Sequence, residues 1–438
     1  MWDRLRRTNP YHLGLLLIVA VGLLLRAYGL NWDDGLYLHP DERFIAIVSS
    51  DRIDMPPSDD IGSIFDPETS PLNPRRNDPA SGQPLSFAYG TLPVYVQSAT
   101  AWAVNLFTET DHQSYPHIYK VGRVLNVLLD TLTIGLVFLL AQRLYRPSAG
   151  IVAAALYALA VLPIQLSHFF TVDIWLTFFV TASLYLAIRY VDQPTYGRAL
   201  LLALPVGCAF ATKASVPSLI VPLLLMAGWA FWKSTDRLLV VSSMLSAGAV
   251  SLIVFTIFEP YAIVNSAPFI EDIRIQARIV RGEYDVPFTR QFIGLTPGLY
   301  ELRNLFLFTI GPAFLIAGLF GVAHAAQRLW ARRDPALLIA LSWVVAYVPT
   351  LLITEARFLR YALPLVPILA VLSGGLLTTR VQVERRLLMR VATTSVLIVT
   401  AVWAIGFTTI YSREHPRIDA SKWMAANIPP GSAITAET

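Results

Sequence analysis

Long apolar runs separated by short polar turns fill most of the chain. A membrane span needs about 20 mostly apolar residues. The pattern predicts about eleven such helices, over 12–30, 119–142, 149–167, 172–190, 198–212, 215–232, 238–258, 303–325, 336–354, 361–378 and 390–410. The fifth and sixth are short and separated only by the Lys213 region. Residues 31–118 form a connection far longer than usual, where folded structure or function is expected. From Asp41, residues Phe44, Ile45 and Val48 recur at helical spacing. This predicts a helix whose buried stripe carries Asp41, with Glu42 flanking it about 100° round. A second helix is expected over Thr91–Phe107, with Tyr95, Trp102 and Phe107. Both read as amphipathic helices at the membrane surface. Between them, Asp54–Pro84 is rich in Pro, Asp and Ser and reads as irregular chain. A second large loop, 259–303, holds Glu271, Asp272, Arg274, Arg278, Arg281 and Glu283 and predicts another surface helix. The fold class is therefore an all-α polytopic membrane protein. Residues 1–411 read as its transmembrane unit, and 412–438 as the beginning of an outer C-terminal segment, cut short.

Charge orients the spans. With the N-terminus in the cytoplasm, Arg143 and Arg146, Arg189 and Arg198, Lys233 and Arg237, Arg328, Arg332 and Arg333, and Arg380, Arg385, Arg386 and Arg390 all fall in inner loops. The turn Ser167–Thr171 then lies outside and holds no Lys or Arg. The loops 31–118 and 259–303 and the C-terminal tail also lie outside, which places any site there on the extracytoplasmic face of the cell membrane. Composition agrees: 55% of residues are hydrophobic and 15% charged, with mean hydropathy +0.54. The net charge of +4 does not point to nucleic acid, because the basic residues sit in short loops between apolar runs. One cysteine, Cys208, excludes an intrachain disulfide and a cysteine-based zinc site. Arg4, Arg6 and Arg7 before Leu13–Leu25 imitate a signal peptide. No small-residue cleavage site follows, so the run reads as an uncleaved anchor.

Ionisable residues gather at the outer ends. Asp41 and Glu42 follow the first span, in His39-Pro40-Asp41-Glu42. They read either as a general base or metal ligand, or as acids favoured at a helix start. His39 is a loop residue or a ligand. Asp173 opens the fourth span, as a cap or as a site acid. Lys213 is a lone outer cation, against the positive-inside trend, and suits an anion. Arg357 and Arg360, three residues apart, share a helical face fit for a phosphate; Glu355 or lipid headgroups are the alternative partners. Glu259 reads as a site acid or as the partner of one of these cations. Asp130 is a mid-span acid, either functional or a satisfied buried group. No Walker-type loop, HExxH or ordered Ser-His-Asp set occurs.

Such a set suits transfer of a sugar from a lipid phosphate. The leaving group is already anionic and needs cations. The acceptor hydroxyl needs a base, and the oxocarbenium-like transition state benefits from negative charge. Asp41-Glu42, Asp173, Thr212-Lys213, Arg360-Tyr361, Leu363-Pro364 and Pro367 resemble the GT-C glycosyltransferases, the polytopic class that uses polyprenyl-phosphate sugars. Over about residues 10–410 the chain is similar to the bacterial enzymes related to protein O-mannosyltransferases and lipid A aminoarabinose transferases. The resemblance implies a GT-C fold, a first-loop acid matched by Asp41 with Glu42 as helper, and a second-loop acid matched by Asp173. It leaves a divalent metal at Asp41 and Asp173 open. The expected reaction is inverting transfer from an undecaprenyl-phosphate-like donor to a protein, lipid or glycan acceptor. Asp41 acts as base, Glu42 orients the acceptor, and Lys213, Arg357 and Arg360 hold the donor phosphate, with Tyr361 beside them. A secondary transporter or flippase is the rival reading, with ionisable groups expected near mid-membrane. A non-catalytic scaffold is a third.

Overall fold

A computed structural model describes residues 10–54, 61–77, 82, 84–213 and 216–435. Arg4, Arg6 and Arg7, parts of the irregular stretch 54–84, and Ser215 at the start of the expected sixth span lie outside the described residues. The described chain is helical, with one isolated bridge between Asn77 and Pro84.

The apolar runs become α1 (Pro10–Ala27), α4 (Tyr115–Leu144), α5 (Pro147–Ala158) with α6 (Val161–Ser167), α7 (Val172–Asp192), α8 (Tyr196–Phe210), α9 (Ile220–Lys233), α10 (Arg237–Phe258), α12 (Pro312–Arg332), α13 (Pro335–Ile353), α14 (Val366–Leu377) and α15 (Arg386–Thr408). The surface helices become α2 (Pro40–Asp51), α3 (Leu92–Asn105) and α11 (Ser266–Val280), and α16 (Pro416–Asn427) follows the last long helix. Among the described residues, seven helices are long and apolar enough to cross a membrane, or eight if the bent pair α5–α6 is one span. The apolar helices in α1, α8 and α9 are shorter. The chain is a multi-pass membrane protein.

Boundaries depart from the hydropathy pattern where the backbone has other demands. The span expected at 303 begins only at Pro312. A π-helical turn over Leu305–Thr309 ends at Gly311, whose φ of +80° breaks the helix. The span expected at 361 opens with a 3₁₀ stretch, Leu359–Leu365, containing Pro364. On α3 the buried face is Leu92, Val94, Gln97, Ser98 and Ala101, while Trp102 and Phe107 are exposed. Exposed aromatics beside a bundle suit the headgroup layer.

The break between α5 and α6 bends the chain by 55°. It frees carbonyls that hydrocarbon cannot satisfy. Arg26, fully buried at the end of α1, donates Nη1 to the Ala158 carbonyl at 3.0 Å and Nε to Asp130 Oδ2 at 2.5 Å. Tyr157 and Ser167 also donate to Asp130. Asp130 is therefore a satisfied buried acid that braces the bend. Arg26, read from the sequence only as the residue closing the first run, is its partner. Removing one member strands the other charge, at about 3–5 kcal/mol, whereas replacing both with apolar groups leaves no buried charge unpaired. Asp130→Asn should therefore lower the unfolding midpoint in detergent well below that of the Arg26→Met/Asp130→Leu double variant. Equal midpoints would show that the brace carries no stability.

Candidate active site

Asp41 sits in the first turn of α2. Pro40 is suited to the helix start, and His39 caps it by accepting the Glu42 N–H through Nδ1 at 3.4 Å. The phase of α2 differs from the sequence reading. Its buried residues are Glu42, Ile45, Ala46, Val48 and Ser49, and Asp41 is only half-buried. Of the expected stripe, Ile45 and Val48 are buried and Phe44 is half-buried. Ala46 packs on α4 and Ser49 bonds Gln97 of α3 at 2.7 Å, so the buried face takes in Glu42 rather than Asp41.

Glu42 consequently does not face an open site. Arg123, in the middle of the apolar α4, donates Nε to Glu42 Oε1 at 2.8 Å and Nη2 to Oε2 at 2.6 Å. Its Nη2 also reaches Asp33 Oδ2 at 3.0 Å. The Phe170 N–H donates to Glu42 Oε1 at 2.8 Å. Glu42 thereby ties α2 to α4 and to the turn just before Asp173. Asn126 fixes the same turn, donating to the Phe169 carbonyl at 2.8 Å and accepting from Trp175 Nε1 at 2.8 Å. The expectation that Glu42 orients an acceptor is corrected: it is a positioning residue.

Four of the expected residues meet. Lys213 Nζ lies 2.9 Å from Asp173 Oδ1. Arg360 stands between the two acids, its Nη2 3.1 Å from Asp41 Oδ2 and its Nε 3.8 Å from Asp173 Oδ2. Tyr361 closes one side, 4.9 Å from Lys213 Nζ to the ring centre. The Asp41–Arg360 contact is misaligned for a hydrogen bond, and Asp41 Oδ2 is buried without a hydrogen-bond partner. That oxygen is the unsatisfied acceptor of the cluster. Lys213 is held in place from below. The Gly90 N–H donates to the Thr212 carbonyl at 3.0 Å, and a Cβ at Gly90 would lie 2.0 Å from the Ala211 carbonyl oxygen.

A cavity of about 250 Å³ adjoins the cluster, with His39, Gln165, Gln291, Tyr300, Arg357 and Arg360 among its walls. Arg357 pairs with Glu301 instead of joining Arg360, and its buried Nε has no partner. Glu301 also accepts the Gly298 N–H at 2.6 Å. Glu259 lies apart. It binds Arg75 Nη1 at 3.2 Å and the Thr91 N–H at 2.6 Å, while Asp272 takes Arg75 Nε at 2.8 Å. This second network locks the two large loops together. Its cation is Arg75, not one of the three expected. Sequence reasoning missed Arg123, Arg75 and Glu301; an arginine inside the apolar run of α4 was the available signal.

The residues present do not fit a divalent metal held by the protein alone. Asp41 and Asp173 have a guanidinium between them, and no group of three or more His, Cys, Asp or Glu that could hold a metal ion occurs among the described residues.

The sequence profile of the family described as dolichyl-phosphate-mannose-protein mannosyltransferase matches residues 99–263. No curated protein matches in sequence. The apo oligosaccharyltransferase of Archaeoglobus fulgidus superposes with a TM-score of 0.58 at 16% identity, covering 96% of this chain and 58% of that one. ArnT from Cupriavidus metallidurans bound to undecaprenyl phosphate gives 0.51 at 18% identity, covering 95% and 81%. The chain has the GT-C fold. It spans under two thirds of the oligosaccharyltransferase.

Burial depresses the His39 imidazole to about 4, although Asp41 opposes the shift. The ring stacks on Phe169 with centroids 4.3 Å apart. Unfolded His39 gains a proton near its ordinary value of 6.5, so the fold loses stability as pH falls from there to about 4. His39→Phe should flatten that segment of the stability–pH curve, while loss of the α2 cap lowers the whole curve by a similar amount at every pH. Denaturation midpoints at several pH values read the slope. An unaltered slope would place the titrating group elsewhere.

Proposed function

We propose that this protein transfers a sugar from a polyprenyl-phosphate-linked donor to an acceptor at the outer face of the cell membrane. The observation that carries the reading is the cluster Asp41–Arg360–Asp173–Lys213 beside a cavity, in a chain with the GT-C fold. The family match over 99–263 supports the reaction class. Residues 1–411 form the catalytic unit, with the N-terminus cytoplasmic and residues 412–438 on the outer side. The acceptor is a protein, lipid or glycan hydroxyl.

In the resting cluster two carboxylates and two cations neutralise one another. A donor phosphate competes with Asp41 for Arg360 and with Asp173 for Lys213. Once Arg360 turns to the phosphate, Asp41 Oδ2 is left as an unpaired acceptor, ready for the acceptor hydroxyl. The hydroxyl oxygen attacks the anomeric carbon from the side opposite the phosphate, and its proton passes to Asp41. The carbon–oxygen bond to the phosphate breaks with its electron pair on the phosphate oxygen. Lys213 and Arg360 stabilise that charge, as cations aimed at a leaving group do. Asp173 holds both cations in place and lends negative charge to the oxocarbenium-like centre. Arg357, on the cavity wall, reaches the donor through its unpartnered Nε. Configuration inverts.

Asp41→Asn should reduce turnover on a polyprenyl-phosphate sugar by about 10²–10⁴-fold, the usual contribution of a general base. The variant should stay inserted with a wild-type unfolding midpoint. Lys213→Ala should lower kcat and raise the KM for donor together, because Lys213 binds the phosphate and stabilises the charge it takes on as it leaves. Wild-type turnover in Asp41→Asn would overturn the assignment of the base.

A further inference from the structure

A second cavity, of about 620 Å³, lies far from this cluster. It is a groove between α12, α14 and α15, with Ile316, Phe320, Ala323, Leu376, Val396 and Val399 among its walls. Its size falls in the roughly 300–1,000 Å³ range of ligand pockets. Ile316, Phe320 and Val399 are exposed, so in a membrane the groove opens to lipid. One end is polar, with His324, Gln327 and Ser395. That end is opposite the site: α14 leaves Arg360 through the 3₁₀ stretch and runs 12 residues to Leu377, roughly 17 Å further.

Three cations surround the polar mouth. His324 Nε2 meets Thr379 Oγ1 at 3.1 Å, next to Arg380. Arg328, one turn beyond His324, lies over the Tyr145 ring at 4.8 Å, and its Nε is buried with no hydrogen-bond partner. Burial and the neighbouring Arg380 both push the Arg146 guanidinium below its ordinary value. Among the described residues none of the three forms an ion pair. Asp192 pairs with Arg143, and Asp334 caps α13 by accepting the Ala336 N–H, while Glu384, four residues beyond Arg380, makes no ion pair with it among the described residues. An apolar trough ending in unpaired guanidiniums has the chemistry of one ligand, a chain of hydrocarbon with an anionic head.

We propose that this groove binds an anionic glycerophospholipid of the inner leaflet, one acyl chain along Phe320 and Val399 and its phosphate at Arg328 and Arg380. A polyprenyl-phosphate donor is the less fitting occupant, because its phosphate is needed at the opposite end of the bundle. The bound lipid fills the seam between α12 and α15 and neutralises the arginines.

Native mass spectrometry on the full chain, purified in detergent and offered phosphatidylglycerol, phosphatidylcholine or undecaprenyl phosphate, tests this. The expected result is retention of one phosphatidylglycerol, with phosphatidylcholine retained at least about tenfold less, in line with the attraction of basic residues for anionic lipid. Arg328→Gln/Arg380→Gln should cut phosphatidylglycerol retention at least about fivefold. Ala323→Trp, a substitution at an exposed position that fills the groove, should do the same with a wild-type unfolding midpoint. Equal retention of the two phospholipids, unchanged retention in both variants, or a preference for undecaprenyl phosphate that these variants abolish would overturn the proposal. None of these readouts depends on glycosyl transfer.

Discussion

The buried Arg123 guanidinium is the joint on which the candidate site hangs. Its two bonds to Glu42 and one to Asp33 join the first loop to the middle of α4. Glu42 passes the constraint on to the Phe170 N–H, three residues before Asp173. Asp41 and Asp173 come from segments far apart in the chain, and this chain of bonds sets the gap between them. Arg360 occupies that gap. A charge as expensive to bury as Arg123 is tolerated because two carboxylates and the Leu30 carbonyl satisfy it, with the Tyr119 ring at 4.6 Å.

The same rule explains why the site can rest without substrate. Two acids and two cations beneath the loops form a nearly neutral set, so burial costs little net charge. One oxygen, Asp41 Oδ2, is left with charge compensation but no aligned hydrogen bond. The cluster is therefore balanced in charge and unbalanced in hydrogen bonding. That combination favours exchange of a carboxylate for a phosphate at Arg360, because the incoming group replaces a poor bond by a good one.

Hydropathy made the architecture legible. Among the described residues the apolar runs are largely helical, seven or eight of them long enough to cross a membrane. Departures came at the bend between α5 and α6, at Gly311 and at Leu359–Leu365, where backbone conformation overrides an apolar pattern. Orientation by charge alone also brings Asp41, Asp173, Lys213 and Arg360 to one end. What stayed hidden were the long-range pairs. Arg123 with Glu42, Arg75 with Glu259 and Arg357 with Glu301 join residues 81, 184 and 56 positions apart. No periodicity records such separations. The phase of α2 failed for a related reason. Large apolar residues mark a hydrophobic face, but Ala46 packs with Ile118 and Tyr119 of α4 and Ser49 bonds Gln97 of α3, and the buried face so formed includes Glu42.

The arginines thus divide by what they meet. Arg26 and Arg123 are saturated: each has a carboxylate and at least one backbone carbonyl, and each holds a bend or a loop. Arg328 and Arg380 have no acid, and they stand at the mouth of an apolar groove. The Arg328 Nε is buried with no hydrogen-bond partner, and a protein keeps such a group where something else supplies the anion. Beside the candidate site Arg357 and Arg360 have carboxylates that a phosphate can replace. At the opposite end of the bundle Arg328 and Arg380 have none to replace, which is why an anionic lipid is the partner proposed for them.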